Sequence, residues 1–338
     1  METGSAAGLP GGLDLSAVSV VIRCYNEEDH IGRLLQGISR QTVRDVEIIV
    51  VDSGSTDGTL AVVAQYPAKV VTVPPQEFSF GRSLNFGCAA AGGDYIVIAS
   101  AHVYPLYDDW IERLLAPFAD PRVALTYGRQ CGDDRTRYAE RQVFAHWFPP
   151  ASDLNRPTAF CNNANAAIRR GIWERFSYDE ELTGLEDLEW ARRVKRAGYR
   201  IAYVAEAEVA HVHDESYRRV YHRYLREAMA LRRIFPGERF TLFDFVRLWL
   251  SNMFSDYLHA VYDRVRWREW PDIALFRLMQ FWGTYRGFAH SQLVSSGLRQ
   301  TFYYPRDRKG KRALVGLAPH PAQRRIDYAE ADARPPGS

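Results

Sequence analysis

Two neighbouring acids, Glu186 and Asp187, are the side chains of this sequence best suited to acid–base chemistry. They follow a loop and open a predicted helix, where a carboxylate can take a proton from a hydroxyl group. A helix N-terminus also favours acids through the helix dipole alone, so their position leaves a purely structural interpretation open. We call Glu186 and Asp187 the acid pair.

The elements that must position the acid pair alternate between strands and helices. Runs rich in Val and Ile predict buried strands at residues 18–22, 46–51, 69–73, 95–99 and 123–127, separated by predicted helices at 29–40, 59–66, 82–91 and 108–118. This alternation predicts an α/β fold with a mostly parallel central sheet. Such sheets bind ligands at the carboxyl ends of their strands, so the loops at Tyr25, Asp52 and Ser100 should share one rim.

The second half of the chain has a different pattern. Residues 155–213 combine a polar loop, a helix from about Glu186, and strands at 199–204 and 208–212. Three long helical stretches follow at 217–234, 242–265 and 273–298, dense in Trp, Phe, Tyr and Arg. The tail from residue 305 is basic and then rich in Pro and Gly, which predicts partial disorder.

Composition narrows the classes of function. The chain has 338 residues with 43 Lys and Arg against 41 Asp and Glu, so its charge does not indicate a nucleic-acid partner. The cysteines are scattered without a zinc or redox spacing, which favours a reduced, intracellular protein. No signal peptide or membrane-spanning apolar run is recognisable, so we expect a cytoplasmic protein that could touch the inner face of the cell membrane. The phosphate loops of kinases and dehydrogenases are missing, and Arg23-Cys24-Tyr25-Asn26 replaces the Gly-rich loop of a sugar-nucleotide pyrophosphorylase.

Four segments carry a resemblance to a known family. Residues 18–28, 50–59, 92–97 and 184–190 resemble, in order and spacing, the motifs of family-two glycosyltransferases of the GT-A fold, over about residues 16–216. Residues 127–130 and 161–170 are most similar to the bacterial rhamnosyltransferase-like branch. The resemblance implies a Rossmann-like α/β domain at 16–214, between a flexible N-terminus at 1–15 and an α-helical C-terminal extension at 215–304, with the tail at 305–338.

The resemblance also implies a reaction. Family members transfer a sugar from a nucleotide-diphosphate donor with inversion, here to a glycan or lipid-linked saccharide in bacterial surface polysaccharide synthesis. Asp187 matches the family's base, and Glu186 would orient the loop or contact the acceptor. A non-catalytic relative that binds nucleotide or glycan as a scaffold is the alternative, because the usual metal-binding acids are missing.

Residues of the predicted rim are candidates for donor binding. Asp52 could accept from the base or ribose, or close an Asx-turn, and both roles are compatible. Arg82 could reach a phosphate or be a solvated surface arginine. The full set is Arg23, Tyr25, Glu27, Asp52, Arg82, Ser100 and His102.

The clearest departure from the family follows the fourth predicted strand. Family members commonly carry Asp-X-Asp there, whereas this chain has Ser100-Ala101-His102. His211 and His213 would share one face of an extended segment, and the resemblance implies another metal ligand in that region. We therefore expect His102, with His211 or His213, to bind Mn²⁺ or Mg²⁺, imidazole being better suited to Mn²⁺. Alternatively, His102 donates directly to the diphosphate.

The acceptor side is less distinct. The resemblance implies that Asn163 and Asn165, in a loop before a predicted helix, lie beside the acceptor, although capping explains asparagines equally well. Arg193 could reach the diphosphate or be solvated.

The three long helices admit several interpretations. Their aromatic residues could form a core stripe, a dimer interface or a peripheral membrane surface. A membrane surface would combine these aromatic residues with the basic residues of the tail, Arg306, Arg308, Lys309, Lys311 and Arg312. The aromatic residues are Trp249, Phe254, Trp267, Trp270, Phe276, Phe281, Trp282 and Phe288.

Overall fold

One eight-stranded sheet organises the first part of the chain, in the strand order β3-β2-β1-β4-β7-β6-β8-β5. The computed structural model describes residues 17–213, 215–289 and 323–328. The strands are β1 Val18–Cys24, β2 Glu47–Asp52, β3 Ala68–Thr72, β4 Tyr95–Ser100, β5 Val103–Pro105, β6 Val123–Cys131, β7 Asn165–Arg169 and β8 Arg200–His211.

Helices cover this sheet and continue beyond it. Helix α1 shows why they form: Ile31, Leu34, Leu35 and Ile38 recur at helical spacing and are buried against the sheet. The helices are α1 Ile31–Ser39, α2 Thr59–Val63, α3 Phe80–Ala90, α4 Trp110–Leu115, α5 Tyr138–Trp147, α6 Arg170–Trp173, α7 Glu186–Arg196, α8 Tyr217–Ile234, α9 Leu242–Tyr262 and α10 Trp270–Ala289. The predicted α/β fold with a helical C-terminal extension is confirmed, and we call α8, α9 and α10 the helical extension.

The strand directions create the predicted rim. Strand β1 is parallel to both β2 and β4, which places Cys24 opposite Asp52 and Arg23 opposite Ser100. The carboxyl ends of these three strands therefore meet at one edge. Strand β7 is antiparallel to β4 and β6, and β5 is antiparallel to β8, so the sheet is mixed beyond β4.

Some predicted elements differ from the structure. Residues predicted as a loop before a helix form β7, because complete burial between β4 and β6 outweighs the weak strand preference of its alanines. The two strands predicted at 199–204 and 208–212 are one strand, β8, with irregular pairing to β6. Helix α5 was not predicted.

The helical extension packs closely on itself and on the α/β domain. A Cβ at Gly283 or Gly287 would approach a backbone carbonyl of α8 to 2.5 Å, so glycine permits this contact between α8 and α10. Helix α5 joins the two regions, because Tyr138 and Ala139 belong to the same apolar cluster as Val220 and Phe276. Phe276, Phe281 and Phe288 are buried, which rules out an interfacial role for them and supports the core-stripe interpretation.

Part of the predicted tail lies against the sheet. The N–H of Ile326 donates to the carbonyl of Leu106, and the N–H of Asp108 donates to the carbonyl of Arg324. The predicted N-terminal segment 1–15 and the basic tail residues 306–312 lie outside the described residues. Across the ranges the structure describes, none of the helices has the length and apolarity needed to cross a bilayer.

Candidate active site

The acid pair occupies the first turn of α7. Leu185, which precedes it, adopts a left-handed backbone conformation with φ 55°, and this turn brings the chain abruptly into the helix. Asp187 is 8% exposed. Its Oδ2 accepts from the N–H of Asn163 at 3.1 Å, and its Oδ1 accepts from the N–H of Leu188 at 2.8 Å. The carboxylate is therefore held in one orientation.

The surroundings of Asp187 adjust its proton affinity. Burial and, to a smaller extent, the adjacent Glu186 raise the pKa of Asp187, the two N–H donors and Arg23 partly oppose them, and the result is a pKa of about 7. A carboxyl with this pKa exchanges its proton near neutral pH, as a general base requires.

An ion pair fastens the acid pair to the rim of the sheet. Arg23, near the end of β1, donates to Glu186 Oε1 at 3.0 Å. The guanidinium of Arg23 lies 5.0 Å from the ring centre of Phe80, and that of Arg226 in α8 lies 4.6 Å from the same ring. Arg23 thus neutralises Glu186, a role that the sequence did not indicate, and its contact with the donor stays a prediction.

The remaining rim residues have distinct roles. Asp52 accepts from the N–H groups of Gly54 and Ser55 at 3.0 and 3.1 Å, which confirms the Asx-turn interpretation. Tyr25 is 56% exposed just beyond β1, where its ring can contact a ligand. Ser100 ends β4, and its N–H donates to the carbonyl of Ala164. Donor contact by Tyr25, Asp52 and Ser100 stays a prediction.

The guanidinium of Arg82 forms hydrogen bonds within the protein. It donates to Glu180 at 2.8 Å and to the carbonyl of Glu77 at 3.0 Å. Arg82 is thus partly exposed and paired with an acid, and its contact with a phosphate stays a prediction.

Three histidines meet at the end of β8, and we call His102, His211 and His213 the histidine cluster. Antiparallel pairing of β5 with β8 sets Val103 opposite His211 and brings the preceding His102 alongside. The rings of His102 and His211 stack with centres 5.0 Å apart. One ring nitrogen from each of the three histidines lies within 4.8 Å of the others, so the structure brings all three predicted metal ligands together.

A side-chain oxygen atom of another residue contacts Nδ1 of each histidine and orients the ring. His102 contacts Glu27 at 2.8 Å, His211 contacts Gln130 at 2.7 Å, and His213 contacts Glu140 at 2.6 Å. Carboxylate and amide oxygens accept hydrogen bonds, and a neutral imidazole that donates from Nδ1 to such an oxygen has the lone pair of its Nε2 available to a cation. Glu27, a predicted donor ligand, therefore orients His102, and its contact with the donor stays a prediction.

This arrangement fits a divalent cation. The Nε2 atoms of His211 and His213 are 2.9 Å apart, close enough to share a proton or to bind one cation. Two nitrogens that bind one metal ion at about 2.1 Å, at a right angle, are themselves separated by about 3 Å. Burial lowers the pKa of His211 well below its usual value, with His213 and His102 adding to the effect, so the His211 ring is neutral and can act as a metal ligand.

Glu140, behind the histidine cluster, is a buried carboxylate with a counter-charge. Burial would raise its pKa, but Arg223 and His213 outweigh burial and lower the pKa to about 2. Arg223 comes from α8 and approaches Glu140 Oε1 at 2.5 Å. Glu140 therefore keeps its negative charge at any physiological pH.

The predicted acceptor residues separate into two groups. Asn163 is 2% exposed, and within the part of the chain that the structure describes its buried amide nitrogen and oxygen have no hydrogen-bond partner; acceptor contact by Asn163 stays a prediction. Asn165 does not support acceptor contact, because its fully buried amide donates to the carbonyls of Arg129 and Ala207 and accepts from Trp110. Arg193 is likewise used elsewhere, by Glu189 and the carbonyl of Ser177.

The sequence did not indicate several residues of the site. Gln130 lies in a segment that carried the family resemblance, and its position in β6 opposite β8 could have suggested a partner for His211. Glu140 lies on α5 and Arg223 and Arg226 lie on α8, and no local sequence pattern signals that these side chains approach the site.

The chain is similar to several known proteins. Residues 19–176 match the model of glycosyl transferase family 2. The chain is 31% identical over 196 residues to the O-antigen chain rhamnosyltransferase WbaN of Salmonella anatum, covering 55% of this chain and 62% of that protein. It is 28% identical over 220 residues to RfbN of Salmonella typhimurium, also an O-antigen chain rhamnosyltransferase, covering 61% and 70%.

A solved structure shares the architecture. The mannosyltransferase PcManGT from Pyrobaculum calidifontis, solved with GDP-Man and Mn²⁺, superposes with a TM-score of 0.54 at 21% identity, covering 81% of this chain and 86% of that one. The chain spans only about 62% of the length of WbaN. Its α/β region shares the fold of that structure, and residues 19–176 are similar to glycosyl transferase family 2.

Proposed function

We propose that the chain is an inverting glycosyltransferase that moves a sugar from a nucleotide-diphosphate sugar to a hydroxyl of a glycan or lipid-linked saccharide during bacterial surface polysaccharide synthesis. The observation that carries this proposal is the Arg23–Glu186 ion pair at 3.0 Å. It fixes the buried Asp187 at the carboxyl rim of the sheet, where nucleotides bind in such folds. The names of the rhamnosyltransferases WbaN and RfbN support a hexose or deoxyhexose as the transferred sugar.

Asp187 acts as the general base. Its carboxylate takes the proton of the acceptor hydroxyl while that oxygen attacks the anomeric carbon of the donor. The bond from the anomeric carbon to the diphosphate oxygen breaks on the opposite face, so the configuration inverts. The products are the new glycoside, the nucleoside diphosphate and protonated Asp187, which returns its proton to solvent because its pKa is about 7.

Residues around the acid pair bind the two substrates. Tyr25 provides an exposed ring for the nucleotide base, and the Asp52 loop lines the same rim. The backbone N–H of Asn163 holds Asp187, and its unpartnered amide, buried in this structure, would bind a sugar hydroxyl once the loop before β7 opens to the acceptor. Arg23 keeps Glu186 neutralised and stops it from competing for the acceptor proton.

The histidine cluster would hold the divalent cation. When bound, such a cation stabilises the charge of the departing nucleoside diphosphate as a Lewis acid. Imidazole nitrogens suit Mn²⁺ better than Mg²⁺, which prefers oxygen ligands. The mannosyltransferase PcManGT, with the same fold, was solved with Mn²⁺.

The helical extension carries a surface suited to an anionic membrane. Along α9, the side chains of Phe243, Phe254, Leu258, Val261 and Tyr262 are exposed at helical spacing, and Trp267 follows them. Arg264, Arg266 and Arg268 are exposed at the end of this stripe, so apolar and cationic groups lie together, as in helices that lie in the membrane interface. A membrane-bound enzyme would meet a lipid-linked acceptor directly.

A ligand screen tests the enzymatic proposal. Thermal shift with nucleoside diphosphates and nucleotide sugars, each with and without Mn²⁺, should show raised melting temperatures for one base, because ligands that bind the native state stabilise it. Product analysis with the best donor should then show transfer or slow hydrolysis with inversion. Binding without any turnover, unchanged by Asp187→Asn, would favour the scaffold alternative.

Flotation with vesicles tests the membrane proposal. The chain should float with phosphatidylglycerol vesicles at low salt and dissociate as salt rises. The double variant Phe254→Ser/Leu258→Ser should float less, whereas Leu60→Ser, an exposed apolar residue of α2, should not matter. Sedimentation as a dimer that Phe254→Ser/Leu258→Ser dissociates, without vesicle binding, would assign this surface to a second copy of the chain instead.

A further inference from the structure

The histidine cluster is connected to the helical extension through two charged side chains. Glu140 of α5 receives His213 Nδ1 at 2.6 Å and Arg223 Nη2 at 2.5 Å on the same carboxylate oxygen. Arg223 also donates from Nε to Glu215 at 2.8 Å, so its guanidinium joins two carboxylates. Arg223 lies in the second turn of α8, and the chain reaches it only ten residues after His213.

We propose that Arg223, acting through Glu140, is a positioning residue that directs His213 Nε2 toward the cation site, so that the helical extension controls cation affinity. This inference rests on the proposed function, because it assumes that the histidine cluster binds a divalent cation.

Burial makes the counter-charge necessary. Glu140 is 1% exposed, and a buried carboxylate without a partner cannot keep its charge at low cost. Arg223 supplies the opposite charge and the fixed fork geometry that holds the carboxylate in place. Without it, Glu140 would lose its fixed position, and His213 would lose the acceptor that sets its tautomer and ring orientation.

The three histidines differ in how they are supported. His102 and His211 rely on Glu27 and Gln130, both within the α/β domain. His213 alone depends on an acceptor that is itself held from α8. Helix α8 in turn packs tightly on α10, where Gly287 allows backbone contact. A displacement of the helical extension would therefore change one ligand of the cluster and leave the other two in place.

The experiment titrates the purified full chain with Mn²⁺ and measures the concentration of free Mn²⁺ by electron paramagnetic resonance, which gives the dissociation constant. Arg223→Gln and Glu140→Gln should each weaken Mn²⁺ binding about 10- to 100-fold, the usual effect of losing a residue that orients a metal ligand. The double variant should be no weaker than the worse single variant, because both changes remove the same support. Arg218→Gln, which removes an exposed arginine from the same helix, should bind Mn²⁺ normally.

Two further measurements distinguish a loss of folding from a loss of Mn²⁺ affinity. The melting temperature without metal reports folding, and a loss of stability with unchanged Mn²⁺ affinity would overturn the inference. If Arg223→Gln does not fold, Glu215→Gln removes only the second arm of the guanidinium and should weaken Mn²⁺ binding by a smaller factor. Equal Mn²⁺ affinity in wild type and variants refutes the positioning role but leaves the proposed function intact. Absence of Mn²⁺ binding in the wild type refutes the cation site itself, and the inference with it.

Discussion

The acid pair contains a buried carboxylate, Asp187, and the histidine cluster rests on another, Glu140. The surroundings of these two carboxylates shift their pKa values in opposite directions. Asp187 is buried beside another acid, and its pKa rises to about 7. Glu140 is buried beside Arg223 and His213, and its pKa falls to about 2. Burial raises the pKa at both carboxylates: at Asp187 it dominates and Glu186 adds to it, whereas at Glu140 the charges of Arg223 and His213 outweigh it. The acid pair can therefore exchange a proton, whereas Glu140 keeps a permanent charge that orients a histidine.

The two regions also differ in where their support comes from. The acid pair is held by β1 and by the loop before β7, both within the α/β domain. The histidine cluster receives part of its support from α8, in the helical extension. The helical extension therefore supports the histidine cluster through a charged side chain, and the acid pair through the apolar packing of Leu188 against α8.

The largest effect is expected when the base is removed. Asp187→Asn should lower the transfer rate about 10²- to 10⁴-fold, the range typical for a general base, because the amide cannot take the acceptor proton. Nucleoside diphosphate binding should persist, as measured by thermal shift. Glu189→Gln, on the outer face of the same helix and paired with Arg193, is the control and should retain activity. An Asp187→Asn variant with wild-type turnover would remove the acid pair from the mechanism.

Loss of a histidine ligand should have the next largest effect. His211→Ala should lower the rate about 100-fold at fixed Mn²⁺, because the stabilisation of the diphosphate by the cation is lost. Exhaustive chelation of the wild type should produce a similar loss that added Mn²⁺ reverses. His222→Ala, an exposed histidine of α8, should respond to Mn²⁺ like the wild type. Full activity after chelation would favour direct donation by His102 to the diphosphate.

The pH dependence should distinguish the two carboxylates. Asp187 acts only when deprotonated, so kcat/KM should rise as pH increases toward about 7 and then level off. Glu186 raises the pKa of Asp187 by like-charge repulsion, so Glu186→Gln should move this rise to lower pH. Glu140 stays charged over this range and should add no second step. A profile that Glu186→Gln leaves unmoved would contradict the assignment of the base.

The smallest effect is expected from loosening the helical extension. Gly283→Ala would place a Cβ 2.5 Å from the carbonyl of Tyr221 and should destabilise the fold by about 1–3 kcal/mol, as overpacking does. A lower melting temperature and modestly weaker Mn²⁺ binding should accompany it. Gly237→Ala has open space around its Cβ and serves as the control. Equal melting temperatures would show that the two helices can separate without cost.

The sequence predicted the elements whose signal is local. Strands β1, β2 and β4 are runs of Val and Ile, so their burial and shared rim followed from composition and order. Strand β7 could not be predicted in this way, because its alanines become a strand only through pairing with β4 and β6. Among the site residues, Asp187 and the three histidines stood in recognisable segments. Arg223 and Glu140 did not, since their role exists only where α8 meets α5.

The most direct test of the account is a crystal structure with Mn²⁺ and a non-hydrolysable nucleotide sugar, with data collected for the anomalous signal of manganese. The account predicts one anomalous peak in contact with Nε2 of His102, His211 and His213, and an anomeric carbon whose face opposite the diphosphate is turned to the Asp187 carboxylate. A manganese peak elsewhere, or a sugar whose reacting carbon faces away from Asp187, would contradict it.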